Sequence, residues 1–276
     1  MKRHRRAQSI ALHALLTPAA LLFLAPIWLM VVFATVPEAE IFRHPPALWF
    51  GDHFLENLRN LQADTNFGRV VFNSVAIATI YTAVSTLLCS MGGYAFAKFR
   101  FRGQTVLFLL IVATLSIPMY VTIIPQFILI ARVLHLNNSY LGVILPTLAN
   151  TLGLFFMRQS MLAVPDDLLD AARVDGAGEW RLFFQIVLPV VRPSLAALAL
   201  ILFLNQWNDY LWPLIVLSRK ESYTIPVALG TLVGLTRVSW AGIMAGTVVA
   251  TIPFLILFLI LQRNFIAGIV GGAIKE

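Results

Sequence analysis

Asp170-Ala171-Ala172-Arg173-Val174-Asp175-Gly176-Ala177-Gly178-Glu179-Trp180-Arg181-Leu182-Phe183-Phe184-Gln185-Ile186-Val187-Leu188-Pro189 is a polar, glycine-broken stretch set between long apolar runs. The runs on either side decide the fold. With 59% hydrophobic and 12% charged residues and a mean hydropathy of +0.83, the 276-residue chain holds more apolar surface than a soluble core could hide. It reads as an integral membrane protein. A hydrocarbon layer of about 30 Å takes about 20 residues of helix. The apolar runs are long and do not alternate with polar residues, so they spell helices and not a barrel. Six spans can be drawn, at residues 14–34, 70–95, 105–131, 140–158, 194–217 and 242–262. The expected architecture is all-α, with six transmembrane helices and the quoted stretch inside a loop, 159–193, between spans four and five.

The net charge of +7 is spread along the flanks of apolar runs, a pattern of membrane topology and not of a nucleic-acid face. With the N-terminus inside, Lys2, Arg3, Arg5, Arg6, Lys98, Arg100, Arg102, Arg158, Arg173, Arg181, Arg192, Arg263 and Lys275 fall on the inner side, 13 of the 20 basic residues. Both termini and the 159–193 loop are then cytoplasmic. The first span is too long for a signal-peptide core, and no small-x-small cleavage site follows it, so it reads as a retained anchor. Residues 1–69 make a tail, this span and an outer segment; 70–264 make the transmembrane domain; 265–276 make a C-terminal tail. In the outer segment, Pro45 and Pro46 argue for extended chain, with one short helix near 55–61. The single Cys89 excludes an intrachain disulfide and reads as a small buried hydrophobe. Pro118 and Pro125, seven residues apart, predict two bends in one direction in span three. Such a helix either lines a cavity or has its kinks filled by its neighbours.

Within the loop, Pro165 followed by Asp166 and Asp167 starts a short helix, because acidic groups suit the positive end of the helix dipole. It should run to Val174, only about 13 Å, too short to stand alone in water and so in need of a partner surface. Leu168, Leu169, Ala171 and Ala172 supply its apolar contacts, and Gly176 can take the left-handed conformation that ends it. A second helix should run from Glu179 to Leu188 and stop at Pro189.

Ala171, Ala172, Gly176, Ile186, Leu188 and Pro189 resemble, at the same spacing, the Glu-Ala-Ala loop of permease subunits in ATP-binding-cassette importers, with Asp170 one methylene shorter than the usual Glu. The resemblance runs from residue 70 to the C-terminus. It narrows toward the carbohydrate-importing, maltose-type branch through Asn73-Ser74, Gly93-Tyr94-Ala95-Phe96-Ala97, Phe101-Arg102-Gly103, Trp207-Asn208-Asp209-Tyr210 and the tail from Gln262 through Gly268 to Lys275. It implies a type I importer permease whose short helix, carrying Asp170, Ala171, Ala172, Asp175, Gly176, Ala177 and the later Pro189, couples to a separate ATPase dimer. A second permease, giving a heterodimer, and an extracytoplasmic solute-binding protein are implied as further partners. The chain holds no G-x-x-x-x-G-K-[ST] phosphate cradle, so ATP and Mg belong to the partner ATPase and this chain is expected to bind no cofactor.

Asn205, Gln206, Trp207, Asn208, Asp209 and Tyr210 interrupt the fifth span. Burying Asp209 costs about 2.5 to 3.5 kcal/mol on insertion scales, so the group must face protein, water or solute. On a continuous helix Asn205, Asn208 and Asp209 share one face, flanked by Trp207 and Tyr210. Amides and a carboxylate beside flat rings suit a sugar, which makes these residues a candidate substrate path. The same groups also serve for hydrogen bonds between helices, and the two readings stand side by side.

Five histidines show no i, i+4 pair and no Cys neighbour, so no metal site is expected. No His lies deep in a span near Ser85, Ser90 or Ser116, so no catalytic site is expected either. An ion-coupled transporter or channel, the competing class, usually carries several intramembrane ionisable groups, against one buried acid here. A purely structural subunit would tolerate change in the 159–193 loop.

Overall fold

Apolar runs here fold as helix; some prolines break them, whereas Pro18, Pro26, Pro125 and Pro253 lie inside helices. The computed structural model describes residues 2–234 and 238–273, with side chains for 12–234, 238–260 and 262. The N-terminal basic cluster and His4, Arg237, Arg263 and Lys275 fall outside the described side chains, as does the tail motif after Gln262. Among the described residues there is no sheet, only an isolated antiparallel bridge between Val233 and Val238.

Three helices are long and apolar enough to cross a membrane unaided: α1 (Lys2–Ala34) over Leu12–Ala34, α3 (Phe67–Lys98), and α14 (Trp240–Ala273) over Trp240–Ile260. Three more candidates are bent pairs, so the expected six spans are reached only when each pair counts as one. The first pair joins α4 (Gln104–Ala113) and the 3-10 turn to Ser116 with α5 (Met119–Ile128) and the π-turn to Val133, bent by 100°. The bend falls at Pro118, and Pro125 lies inside α5. Of the two predicted bends, the one at Pro118 is a sharp break, because Ile117 before the proline takes extended backbone and leaves the helix. The second pair, α6 (Tyr140–Ile144) extended to Thr147 and α7 (Thr151–Leu162), bends by 52°.

The chain divides into two units. In the first, residues 1–68 and 228–252, α2 (Phe54–Thr65) closes the end of α1, with the buried Asn57 amide donating to the carbonyls of Ala34 and Val36. The short outer helix is therefore real and longer than 55–61. Glu38 accepts hydrogen bonds from the amides of Trp240 and Ala241 at 2.8 and 2.9 Å, capping the start of α14. That helix continues to Ala273, so the C-terminal tail expected from residue 265 is mostly helical.

The second unit, residues 69–227 and 253–276, holds the larger core. Ile77, Tyr81 and Cys89 of α3 pack there with Met157 and Met161 of α7, Leu198 and Leu202, and Trp212. At the start of α3, the fully buried Asn73 donates to the carbonyls of Glu221 and Tyr223 and accepts from the Tyr140 hydroxyl. The Ser74 hydroxyl accepts from the amide of Ile225, where α13 (Ile225–Thr231) begins. The Asn73-Ser74 pair thus fastens a returning loop. At the break between α6 and α7 the carbonyls of Leu148 and Asn150 accept from the amides of Asn150 and Leu154 and also take hydrogen bonds from Ser85 (2.9 Å) and Cys89 (3.3 Å) of α3. Cys89 is buried as expected, and also donates weakly at that break.

Candidate functional site

The loop after α7 folds as its residues dictate. Pro165, with extended backbone, precedes α8 (Asp166–Val174), and Asp166 and Asp167 occupy its first turn. Asp175 ends it, Gly176 turns left-handed at φ +82°, and the amides of Gly176 and Ala177 donate to the carbonyls of Arg173 and Ala172 at 3.0 and 2.9 Å. This is the paired 5→2 and 6→1 closure of a Schellman end. A Cβ on Gly176 would meet nothing within 4 Å, so glycine is required there by backbone angle and not by space.

One side of α8 is anchored and the other is open. Leu169 is buried in the core, with Ala172 and Ala177 packed beside it. Leu168, Ala171 and Val174 are exposed, Val174 at 88%, and Asp167, Asp170 and Asp175 border them. A nine-residue helix offering a small apolar face rimmed by acids has the form of a peg for a concave partner.

Ion pairs hold the peg. The Lys98 ammonium at the end of α3 lies 2.6 Å from both the Val164 carbonyl and an Asp166 carboxylate oxygen, its side chain only 3% exposed. The Lys98 hydrogen bond, and then its charge, holds the Asp166 carboxyl below the usual carboxylate range. Arg173 donates to Glu179 at 3.0 Å and Asp170 at 2.8 Å, contacts that raise its already high pKa. The buried Tyr94 hydroxyl donates to the other Glu179 oxygen at 2.9 Å. Tyr94, Lys98 and Glu179 were not among the site residues expected from sequence, where they stood as motif, topology and helix-start residues. Their signal was slight: Tyr94 and Lys98 lie four residues apart, on one face of α3. Gly93 explains why that face reaches the loop. A Cβ there would lie 2.8 Å from the Met157 Cβ and the Arg158 amide nitrogen, so its absence lets α3 and α7 approach backbone to backbone.

Beyond Gly178 the chain does not stop at Pro189. It runs as α9 (Glu179–Arg181), a π-turn over Leu182–Val187 and α10 (Leu188–Val190), and breaks at Val191 before α11 (Arg192–Trp207), with a bend of 82°. Pro189 removes the N–H that the Gln185 carbonyl would meet in an α-helix, where the wider π-turn stands. The break belongs to Pro193, whose ring a continuing helix would press against the carbonyl of residue 189.

The polar patch is also rearranged. The fifth span expected at 194–217 is not one helix: α11 ends at Trp207, and α12 (Leu211–Val216) begins after Asn208, Asp209 and Tyr210. Asn205, Asn208 and Asp209 therefore do not form a stripe on a single helix. The Asp209 carboxylate, half-buried, accepts from the amide of Trp212 at 3.4 Å, serving a backbone group that the break leaves open. Trp207 is buried and its ring stacks on Phe203 at 5.4 Å, whereas Asn205, Asn208 and Tyr210 are exposed. The Trp212 indole donates to the Gly142 carbonyl, fixing α12 to α6.

Residues 89–270 match the family described as binding-protein-dependent transport system inner membrane component. Along nearly its full length the chain is similar to the lactose transport system permease protein LacG of Rhizobium radiobacter, with 36% identity over 268 residues and 97% of each chain covered. It is similar as well to the sn-glycerol-3-phosphate transport system permease protein UgpE of Yersinia pestis, with 34% identity over 280 residues and 99% of each covered. Its fold matches a chain in the crystal structure of a bacterial ABC transporter involved in the import of the acidic polysaccharide alginate. There the TM-score is 0.80 at 24% identity, over 95% of this chain and 98% of that one.

Proposed function

Because this chain belongs to the family of binding-protein-dependent transport system inner membrane components, we propose that it forms half of the translocation path of an ATP-driven importer for a sugar or polyol, driven through α8. The family is a transport component and not an enzyme. The relatives named for lactose and for sn-glycerol-3-phosphate set the breadth of the substrate class. A hydroxyl-rich small molecule fits both.

In this reading α8 is the coupling helix. Asp170, Ala171 and Asp175 face a groove on the ATPase, Ala172 and Ala177 seat the helix on the permease core, and Gly176 closes it. Pro189 lies in the arm that leads to α11. ATP and Mg are bound by the ATPase dimer, and this chain binds neither. A second permease completes the path, and an extracytoplasmic binding protein delivers the solute. Both termini and α8 lie on the cytoplasmic side of the bacterial inner membrane. In the substrate path, Asn205, Asn208, Asp209 and Tyr210 surround the break between α11 and α12, with Trp207 packed behind them.

The observation that carries the proposal is the open acidic and apolar face of α8 on a helix rigidly capped at its far end. Cysteine placed by Val174→Cys tests it, since native Cys89 is buried. In the assembled importer this thiol crosslinks to the ATPase subunit. Absence of any crosslink to a nucleotide hydrolase, in a complex that still imports, refutes it.

A further inference from the structure

Tyr94 and Lys98 hold the two ends of α8 from one face of one helix. Lys98 binds the residues that open it, through the Val164 carbonyl and the Asp166 carboxylate. Tyr94 binds Glu179 just past its end, and Glu179 in turn holds Arg173 in the last turn. Hydrogen bonds to ionised groups are the short, strong kind; the Lys98 side chain is buried whereas Asp166 is 76% exposed, so the better shielded of its two contacts is the one to the Val164 carbonyl. Along the chain, by contrast, α8 reaches α11 only through a π-turn and an 82° bend. The close approach at Gly93 joins the same end of α3 to α7, so the receiving surface is stiff.

We propose that Tyr94 and Lys98 are positioning residues that make α3 a direct receiver of movement of α8, so that a displacement of the peg passes to span two by a route separate from the one that runs along the chain to α11. The sequence order alone points to spans four and five. The geometry points to span two. This inference rests on α8 being the coupling helix.

The test uses the assembled importer in lipid nanodiscs, with an environment-sensitive fluorophore on Val84→Cys in α3 or on Ile201→Cys in α11. The probe ligand is ATP with orthovanadate. The parent shows an emission shift at both positions. Lys98→Met reduces the α3 shift at least fivefold and leaves the α11 shift within twofold. Lys98→Arg, which keeps a cation at that point, restores the α3 shift. If Lys98→Met blocks assembly, Tyr94→Phe, which removes one hydroxyl, is read in the same way. An α3 shift within twofold of the parent in the variant, while Val174→Cys still crosslinks to the ATPase, overturns this inference alone. Loss of that crosslink in the parent importer overturns the coupling reading, and the inference with it.

Discussion

Replacing Gly176 isolates backbone strain from packing. Its φ is +82° and a Cβ would touch nothing, so any penalty comes from conformation. An ordinary L-residue in the left-handed region costs about 1–2 kcal/mol, a β-branched one more, and Asn less. The strain falls on the two hydrogen bonds that close α8, from the amides of Gly176 and Ala177. With nine residues the helix has little stability of its own, so strain at the end opens the last turn and frees Arg173 from Glu179 and Asp170. A loss of 1 kcal/mol changes the closed-to-open ratio about fivefold, and 2 kcal/mol about 30-fold. Hydrogen exchange of the 170–179 peptide in the assembled importer reads that ratio. Gly176→Asn should exchange near the parent rate, Gly176→Ala about fivefold faster and Gly176→Val about 30-fold faster or more, with transport falling in the same order. A Val variant protected like the parent, or an Asn variant as damaged as Val, refutes the argument.

The Asp166 carboxyl is held below its usual range in the fold, so its contribution is complete above the ordinary carboxylate value of about 3.9 and disappears as pH falls through the lower folded value. Thermal unfolding of the parent and Asp166→Asn should therefore differ by a constant amount between pH 5 and 8 and converge in stronger acid; a gap that grows toward low pH contradicts this. Gly93→Ala brings a methyl to 2.8 Å from backbone that cannot yield, which should cost about 1–3 kcal/mol. Gly178→Ala, where a Cβ meets open space, should unfold at the parent temperature and serves as its control. Asp209→Asn keeps an acceptor for the Trp212 amide and should assemble and import. Asp209→Leu should lose at least tenfold in uptake, and an Asp209→Leu importer that assembles and transports normally removes Asp209 from the path.

What the sequence showed and what it hid follow from the range of the forces. Local chemistry was legible: Pro165 with two aspartates predicted the start of α8, and Gly176 its left-handed end, because a cap is decided within five residues. Apolar length found the membrane segments, but continuity did not follow from it. Pro118 and Pro193 break helices that composition alone would extend, and the proline predicted to stop a helix, Pro189, lies inside one. The Asn205–Asp209 stripe failed for the same reason, since a 3.6-residue period has meaning only while the helix lasts. Tyr94, Lys98 and Glu179 were hidden because their pairing spans 68 to 85 positions of sequence, and no local pattern marks it.

The broken helices of the second unit share one neighbour, and this sets how movement can pass through it. A backbone break in an apolar layer leaves carbonyls and amides that need partners. The unbroken α3 supplies several. Ser85 and Cys89 serve the break before α7, Asn73 and Ser74 fasten the segment from Glu221 to Ile225, and Tyr94 and Lys98 hold the ends of α8. These contacts lie at the start, the middle and the end of a helix of 32 residues, about 48 Å at 1.5 Å per residue. A rod so joined cannot slide or turn at its Lys98 end without straining hydrogen bonds near Asn73. A shift of α3 that left the Asn73 contacts unchanged would require the helix to bend; it contains no proline, and at its glycine pair, Gly92-Gly93, the close packing of Gly93 on the backbone of Met157 and Arg158 resists a bend.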